Sequence, residues 1–251
     1  MLDRDLAQLA EWGVDHVKLD WHPVDPPTAA RIRADLERTG RPMQLSLSNA
    51  VRLEDAAAIA PLAETWRTTG DIVDTWESVS GIARYQLAWN PWRTDTHRPD
   101  PDMLQLGWLR DPTDPLAPAR PTRLTQDEQR FQLGIWCLLG APLILSCDPG
   151  RLDGATLGIL TDPVALGIAR APMLDSPHVA WASDGVEAWV RLLASGGRAV
   201  GLLNLSERPR RVRPPWTELL GDPHARVRHA WGPLDQTPRA PDPEVELPPH
   251  R

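Results

Sequence analysis

Lysine is almost missing from this chain of 251 residues: Lys18 is the only one, and arginine supplies every other cationic side chain. Tyrosine and phenylalanine occur once each. Cys137 and Cys147 are the only cysteines, too few for a disulfide framework and without the second ligand pair of a zinc site. Both read as small buried hydrophobes. No apolar run approaches the roughly 20 residues that a membrane helix needs, so a membrane-spanning helix is not expected. Met1-Leu2-Asp3-Arg4-Asp5 lacks the basic start and apolar middle of a signal peptide. As written the chain reads as cytoplasmic, with secretion left open if the true N-terminus is missing. The net charge of -7 comes with no basic stripe, which sets nucleic acid aside as a partner.

The one lysine sits two positions before Asp20, at the end of the apolar run Val14 to Leu19. That run reads as a buried strand. Side chains alternate along a strand, so Lys18 and Asp20 face one way and Val17 and Leu19 the other. A compact ammonium retained where arginine is otherwise used, sharing a pocket with a carboxylate, suggests a site. The alternative is a structural ion pair capping a strand, since ion-pair networks also cluster charges. Twelve tryptophans tilt the aromatic usage towards carbohydrate, because indole faces stack on sugar rings, although any single tryptophan is more simply a core residue.

Helical and strand patterns alternate through the first two thirds of the chain. Leu2, Leu6, Leu9 and Ala10 share a helical face, and strand 14–20 follows Gly13. Pro26 and Pro27 open a second helix over 28–37, closed by Gly40. Strand 43–48, a helical stretch 52–60, a strand from Thr65 towards Asp71 and a helix 73–84 come next. Residues 85–100 read as a long loop, 103–106 as a strand, and a proline-rich loop leads to Thr125, which with Glu128 forms a capping box. A buried helix to Leu139, a strand 142–147 and two helical stretches to Ala171 complete this part. From about Pro172 the period changes to two, with strands expected at 179–182, 186–192, 199–205 and 226–230. Alternating strands and helices imply right-handed βαβ units and a parallel sheet, about five units in all, followed by an antiparallel β domain. The boundary falls near 172–177, giving units 1–172 and 173–251.

Five segments carry a resemblance. Trp12-Gly13-Val14-Asp15, Val17-Lys18-Leu19-Asp20, Trp66-Arg67-Thr68-Thr69-Gly70-Asp71-Ile72, Asp100-Pro101-Asp102-Met103-Leu104, and Ala141-Pro142-Leu143-Ile144 followed by Cys147-Asp148 stand in this order. Together they resemble the melibiase-type α-galactosidases, glycoside hydrolase family twenty-seven, over most of residues 6–172. The resemblance implies a (β/α)8 barrel, here a partial one of about five βα units, and an antiparallel β-sandwich. It also implies retaining hydrolysis of terminal α-galactosides; no metal and no cofactor are expected. Carried over residue by residue, the nucleophile falls on Asp20 and the acid/base on Asp71. Lys18 and Arg67 fall on sugar hydroxyls and Asp102 in the wall of the substrate site. In such a mechanism the two carboxyls stand about 5–5.5 Å apart. Asp20 is expected to stay ionised beside Lys18, and Asp71 to be held protonated by a less polar setting and the charge of Asp20. Read without the resemblance, Asp71 after Gly70 is the N-cap of the helix that follows.

Three departures accompany the resemblance. Three further βα units of the family's barrel are not found before Met1, and about five units cannot close an eight-stranded barrel. The family's Gly-Gly-Trp-Asn reads Thr96-His97-Arg98-Pro99, and its Glu-Trp reads Asn49-Ala50. Asn49 then falls where the 2-position of the sugar is read, which opens N-acetylgalactosamine and arabinopyranose beside galactose. The chain also stops, after Val245-Glu246-Leu247-Pro248-Pro249-His250, where a last apolar strand is expected. These departures imply a chain shortened at both ends. A homodimer would shield the open sheet edges. Two other classes compete. A Schiff-base aldolase needs a lysine of low pKa, and an ionised Asp20 beside Lys18 works against that. A non-catalytic carbohydrate-binding remnant would keep the carboxylates without the missing units. His16, His22 and Asp25 lack convincing spacing for a metal site around Asp20.

Overall fold

Over residues 2–67 helices and parallel strands alternate where the sequence predicts them. The computed structural model describes residues 2–20, 24–48, 50–111, 114, 116–232 and 243–250. Packing divides the chain into two units, 1–71 with 88–102, and 72–87 with 103–251.

In the first unit α1 (Leu2–Glu11) is followed by Gly13, whose φ of 78° turns the chain into β1 (His16–Leu19). The helix α2 (Pro26–Arg38) begins at Asp25, which accepts the Thr28 N–H at 2.7 Å, and Pro26 takes the first position, where no N–H is required. Then come β2 (Gln44–Leu47), α3 (Ala56–Ile59), β3 (Thr65–Arg67) and β4 (Arg98–Asp100). The four strands form one parallel sheet in the order β1-β2-β3-β4. Its register sets Lys18 beside Ser46, Leu47 beside both Leu19 and Trp66, and Arg67 beside Asp100. With a period of two, this separates the sheet into two chemistries. Leu45, Leu47 and Trp66 pack with Ile32, Leu36, Ile59 and Trp89 in a dry core, each such side chain contributing about 1.5–3 kcal/mol. Lys18, Ser46, Arg67 and Asp100 lie on the opposite face.

The fourth strand corrects the sequence reading. Residues 98–100 lie in the stretch expected to be loop, and Pro99 hides the strand because proline is tolerated only where the ladder does not need its N–H, as at an edge.

The second unit opens with α4 (Trp76–Tyr85), capped by Thr75 accepting from Ser78 N–H at 3.3 Å. A short hairpin, β5 (Trp108–Leu109) with β6 (Arg120–Pro121), occupies the stretch expected to be a proline-rich loop. The expected strands 103–106 and 142–147 reduce to one parallel bridge, Leu104 to Leu145. The helix α5 (Gln126–Leu139) starts with the expected capping box: Glu128 N–H donates to Thr125 Oγ1, and Thr125 N–H donates to Glu128 Oε2 at 2.7 Å. Its side chains Phe131, Leu133, Ile135, Trp136, Leu138 and Leu139 are all buried. Helices α6 (Gly154–Leu160) and α7 (Pro163–Arg170) follow.

The antiparallel part begins with β7 (His178–Ser183), β8 (Val186–Leu192) and β9 (Arg198–Asn204) in one sheet. A second pair joins β10 (Arg210–Val212) to β11 (Val245–Leu247), with α8 (Trp216–Leu220) between them in sequence. So 245–247 is itself a strand. Residues 226–230, expected as a strand, are not one: Val227 is the single β-branched side chain in that run and offers no apolar face to pair on.

Two polar anchors tie this unit. Arg191 on β8 is fully buried, and its guanidinium donates to the carbonyls of Cys137 at 3.3 Å, Leu138 at 3.0 Å, Ile168 and Ala171, at the ends of α5 and α7. A cation on helix C-termini is favourable, since the last carbonyls lack partners and carry the negative end of the dipole. His250 meets Glu128 through Nδ1 at 2.7 Å while its ring stacks on Trp76, with centroids 4.3 Å apart and planes 9° from parallel.

Candidate active site

Every described residue that the sequence nominates stands on one sheet, on or just beyond the carboxyl ends of its strands. Lys18 is on β1 and Asp20 directly follows it; Arg67 ends β3 and Asp71 lies four residues on; Asp102 lies two residues beyond β4. Loops at this edge of a parallel sheet are where α/β folds build sites, because the strands hold their attachment points rigidly. Asn49 and His22 lie outside the described residues.

Arg67 is the hub. Its side chain is 4% exposed, and Nη2 donates to Asp102 Oδ2 at 2.8 Å, to Asp71 Oδ1 at 3.2 Å and to the Thr69 carbonyl at 3.2 Å. One guanidinium nitrogen thus gathers the carboxylates that follow two different strands. Asp102 is almost wholly buried, whereas Asp71 is 83% exposed. The buried pair demands close geometry, because desolvation offsets most of its Coulombic gain.

Asp102 reaches Arg67 from an unusual backbone. Its φ is 85°, in the region that favours glycine, at a cost of order 1–3 kcal/mol for any other residue. The Asp102 N–H donates to Asp100 Oδ1 at 2.8 Å, an Asx turn across Pro101. Asp100, which sequence reasoning quoted but gave no role, is itself buried, and its carbonyl accepts from both Thr68 N–H and Thr68 Oγ1 at 3.1 Å. Burial raises the Asp100 carboxyl above the ordinary carboxylate range; the Asp102 N–H, Arg67 and Lys18 act in the opposite direction. Lys18 on β1 is thus one of the charges that act on Asp100. Lys18 and Asp20 are both exposed, with Val17 and Leu19 packed on the core side, as alternation along β1 predicts.

Asp71 is not a helix cap. The next helix starts five residues later at Trp76 and uses Thr75 for its cap, so the reading of Asp71 as the N-cap is corrected. Its carboxylate is on Arg67 instead. Of the tryptophans, Trp66, Trp89, Trp136 and Trp189 are fully buried core residues, and Trp66 and Trp89 pack at 6.3 Å. Their number thus reflects core filling at these positions. Both cysteines are free and buried, and burial pushes the Cys137 thiol up to about 12. Among the described residues no group of His, Cys, Asp and Glu is arranged to hold a metal ion, and none of the helices is long and apolar enough to cross a membrane.

A paired arginine and several carboxylates on the carboxyl edge of a parallel sheet can bind hydroxyl-rich ligands and move protons. Comparison with known proteins fits that chemistry. The family model described as alpha galactosidase A matches residues 1–171. The probable alpha-galactosidase of Dictyostelium discoideum is 28% identical over 235 residues, covering 90% of this chain and 58% of that protein. The alpha-N-acetylgalactosaminidase of Rattus norvegicus is 30% identical over 186 residues, 68% of this chain and 42% of that one. Among solved structures, a β-L-arabinopyranosidase of glycoside hydrolase family 27 from Geobacillus stearothermophilus aligns with a TM-score of 0.88 at 28% identity, over 100% of this chain and 59% of that one. The alpha-galactosidase I of Mortierella vinacea shares the fold, with a TM-score of 0.84 at 21% identity, over 99% of this chain and 68% of that one. The chain spans about half the length of the curated relatives it matches. With the family model matched from its first residue to the end of α7, the chain belongs to the melibiase family, the α-galactosidase-type proteins of glycoside hydrolase family 27.

Proposed function

We propose that this chain carries catalytic residues of a retaining glycoside hydrolase for terminal α-galactosides, with Asp20 as nucleophile and Asp71 as acid/base. In this reading residues 1–172 are part of a (β/α)8 barrel and 173–251 an antiparallel β-sandwich domain. The observation that carries it is the placement of Asp20, Asp71 and Asp102 after three strands of one parallel sheet, with Arg67 joining two of them.

The steps balance without a metal. Asp20 attacks the anomeric carbon and forms an ester as the glycosidic C–O bond breaks, while Asp71 passes its proton to the leaving oxygen. Water then gives its proton to Asp71 and attacks the same carbon, and the ester bond breaks to return Asp20 as a carboxylate. Arg67 holds Asp71 in place and Lys18 offers an ammonium to sugar hydroxyls.

The test is hydrolysis of an aryl α-galactoside by the chain and by Asp20→Ala, with circular dichroism to check the fold. Loss of turnover on a retained fold supports the assignment; equal turnover overturns it. A chain that binds galactose without hydrolysing any galactoside would instead be a carbohydrate-binding relative. A second reading is a related specificity: Asn49-Ala50 in place of the family's Glu-Trp opens N-acetylgalactosamine and arabinopyranose alike, and the aligned Geobacillus β-L-arabinopyranosidase supports the latter. Parallel assays on aryl α-galactoside, aryl β-L-arabinopyranoside and aryl α-N-acetylgalactosaminide separate the specificities.

A further inference from the structure

Asp100 is a buried carboxylate at the edge of the site that takes no part in the proposed chemistry. Asp100 ends β4 beside Arg67 in the strand register, so the two side chains lie on the same face of the sheet. Pro101 follows it, which restricts Asp100 to extended backbone and fixes its own φ. The direction of the chain at Asp102 then depends on the next turn, and there the Asp100 carboxylate accepts the Asp102 N–H at 2.8 Å while Asp102 takes a φ of 85°. That turn brings Asp102 Oδ2 to 2.8 Å from Arg67 Nη2.

We propose that Asp100 is a positioning residue for the site: its carboxyl oxygen holds Asp102 in the left-handed turn, and Asp102 in turn orients the Arg67 guanidinium that carries Asp71. The effect on sugar binding rests on the functional reading above; the effect on Asp102 and Arg67 does not. An acceptor at Asp100 is what the turn needs, and either oxygen-bearing side chain of this length supplies one. A merely structural strand-end aspartate would change stability on removal and leave Asp102 where it is.

The test compares Asp100→Ala and Asp100→Asn in the full chain by crystallography and by calorimetric titration with galactose and with L-arabinose. In Asp100→Ala, Asp102 should relax to negative φ and its carboxylate should part from Arg67 beyond hydrogen-bond reach. Sugar binding should weaken about tenfold to a hundredfold, the scale of one lost hydrogen bond from a charged group. The Asp100→Asn chain should recover most of both, because its amide oxygen accepts the same N–H. The proposal is overturned if Asp102 keeps its φ and its Arg67 pair in Asp100→Ala, or if Asp100→Asn behaves like Asp100→Ala. Should Asp100→Ala fail to fold, Asp100→Ser provides a shorter acceptor and must show the same displacement in part. If the unchanged chain binds neither sugar, the functional reading fails, and the two crystal structures alone decide the positioning role.

Discussion

Arg67 and Asp102 form an ion pair of 2.8 Å with both side chains withdrawn from water, one from β3 and the other from beyond β4. A pair of this kind contributes little net stability while it is intact, and much instability when it is halved. Asp102→Ala should therefore cost up to about 3–5 kcal/mol in chemical denaturation, since it leaves the buried guanidinium with only the exposed Asp71 carboxylate and the Thr69 carbonyl as partners. The double variant Arg67→Met with Asp102→Leu should cost clearly less than the sum of the two single changes. Strict additivity would show that the two side chains do not depend on each other.

Asp71 should behave as an acid in bond breaking and as a base in the following hydrolysis. Asp71→Gly should slow substrates with poor leaving groups on the order of a hundredfold or more, and activated aryl glycosides much less in the bond-breaking step, because only the former need the proton there. Added azide should restore part of the turnover and yield a glycosyl azide of retained configuration. An equal loss on all substrates, with no rescue, would remove Asp71 from that role.

Two aspartates should give the fold opposite responses to acid. Burial opposes the charge on Asp74, but Arg120, at 2.6 Å, and Arg123, at 2.8 Å, outweigh it and hold the carboxyl well below the usual range. A depressed folded-state value means stability that is present above about pH 4, the unfolded value, and lost as the pH falls further. Asp100 is raised, so the folded chain holds its proton more tightly than the unfolded chain, and stability is lost as the pH rises above about 4. In denaturation between pH 3 and 7, Asp74→Asn should lose most ground to the unchanged chain near neutrality, whereas Asp100→Asn should gain ground as the pH rises. Parallel curves for all three chains would contradict both assignments.

Arg191 should be one of the most sensitive positions outside the site. Arg191→Met keeps much of the apolar stem and removes the donors from the carbonyls at the ends of α5 and α7. A loss of about 2–4 kcal/mol is expected for several buried carbonyls left without donors. Thermal unfolding of the variant against the unchanged chain measures it. A melting temperature unchanged within a degree would mean that water replaces the guanidinium.

Local signals carried the reading furthest where one side chain determines a backbone event. Asp25-Pro26-Pro27 marks the start of α2, and Thr125 with Glu128 marks α5, because caps and prolines act within a single turn. Alternation placed Lys18 and Asp20 on one face of β1. What escaped depends on partners far away in sequence. Pro99 conceals β4, whose pairing comes from β3; the hairpin of Trp108–Leu109 with Arg120–Pro121 is too short to show a period. The role of Asp100 was illegible for the same reason. Asp-Pro-Asp announces a turn, but neither the sign of φ at Asp102 nor the arginine waiting on the neighbouring strand is written there.

Glu128 serves two distant parts of the second unit's sequence at once. One carboxylate oxygen receives the Thr125 N–H at the start of α5, and the other meets His250, 122 residues later. Fraying of the segment that ends at His250 therefore removes a restraint from the first turn of α5, and melting of that turn releases His250 from Trp76. The amide protons of that first turn and those of Val245–Leu247 should accordingly exchange with solvent through one shared opening, as a cooperative unit whose two parts lie far apart in sequence. A bond spanning so much chain closes late in folding, since the loop it joins must first be gathered by the core around α5.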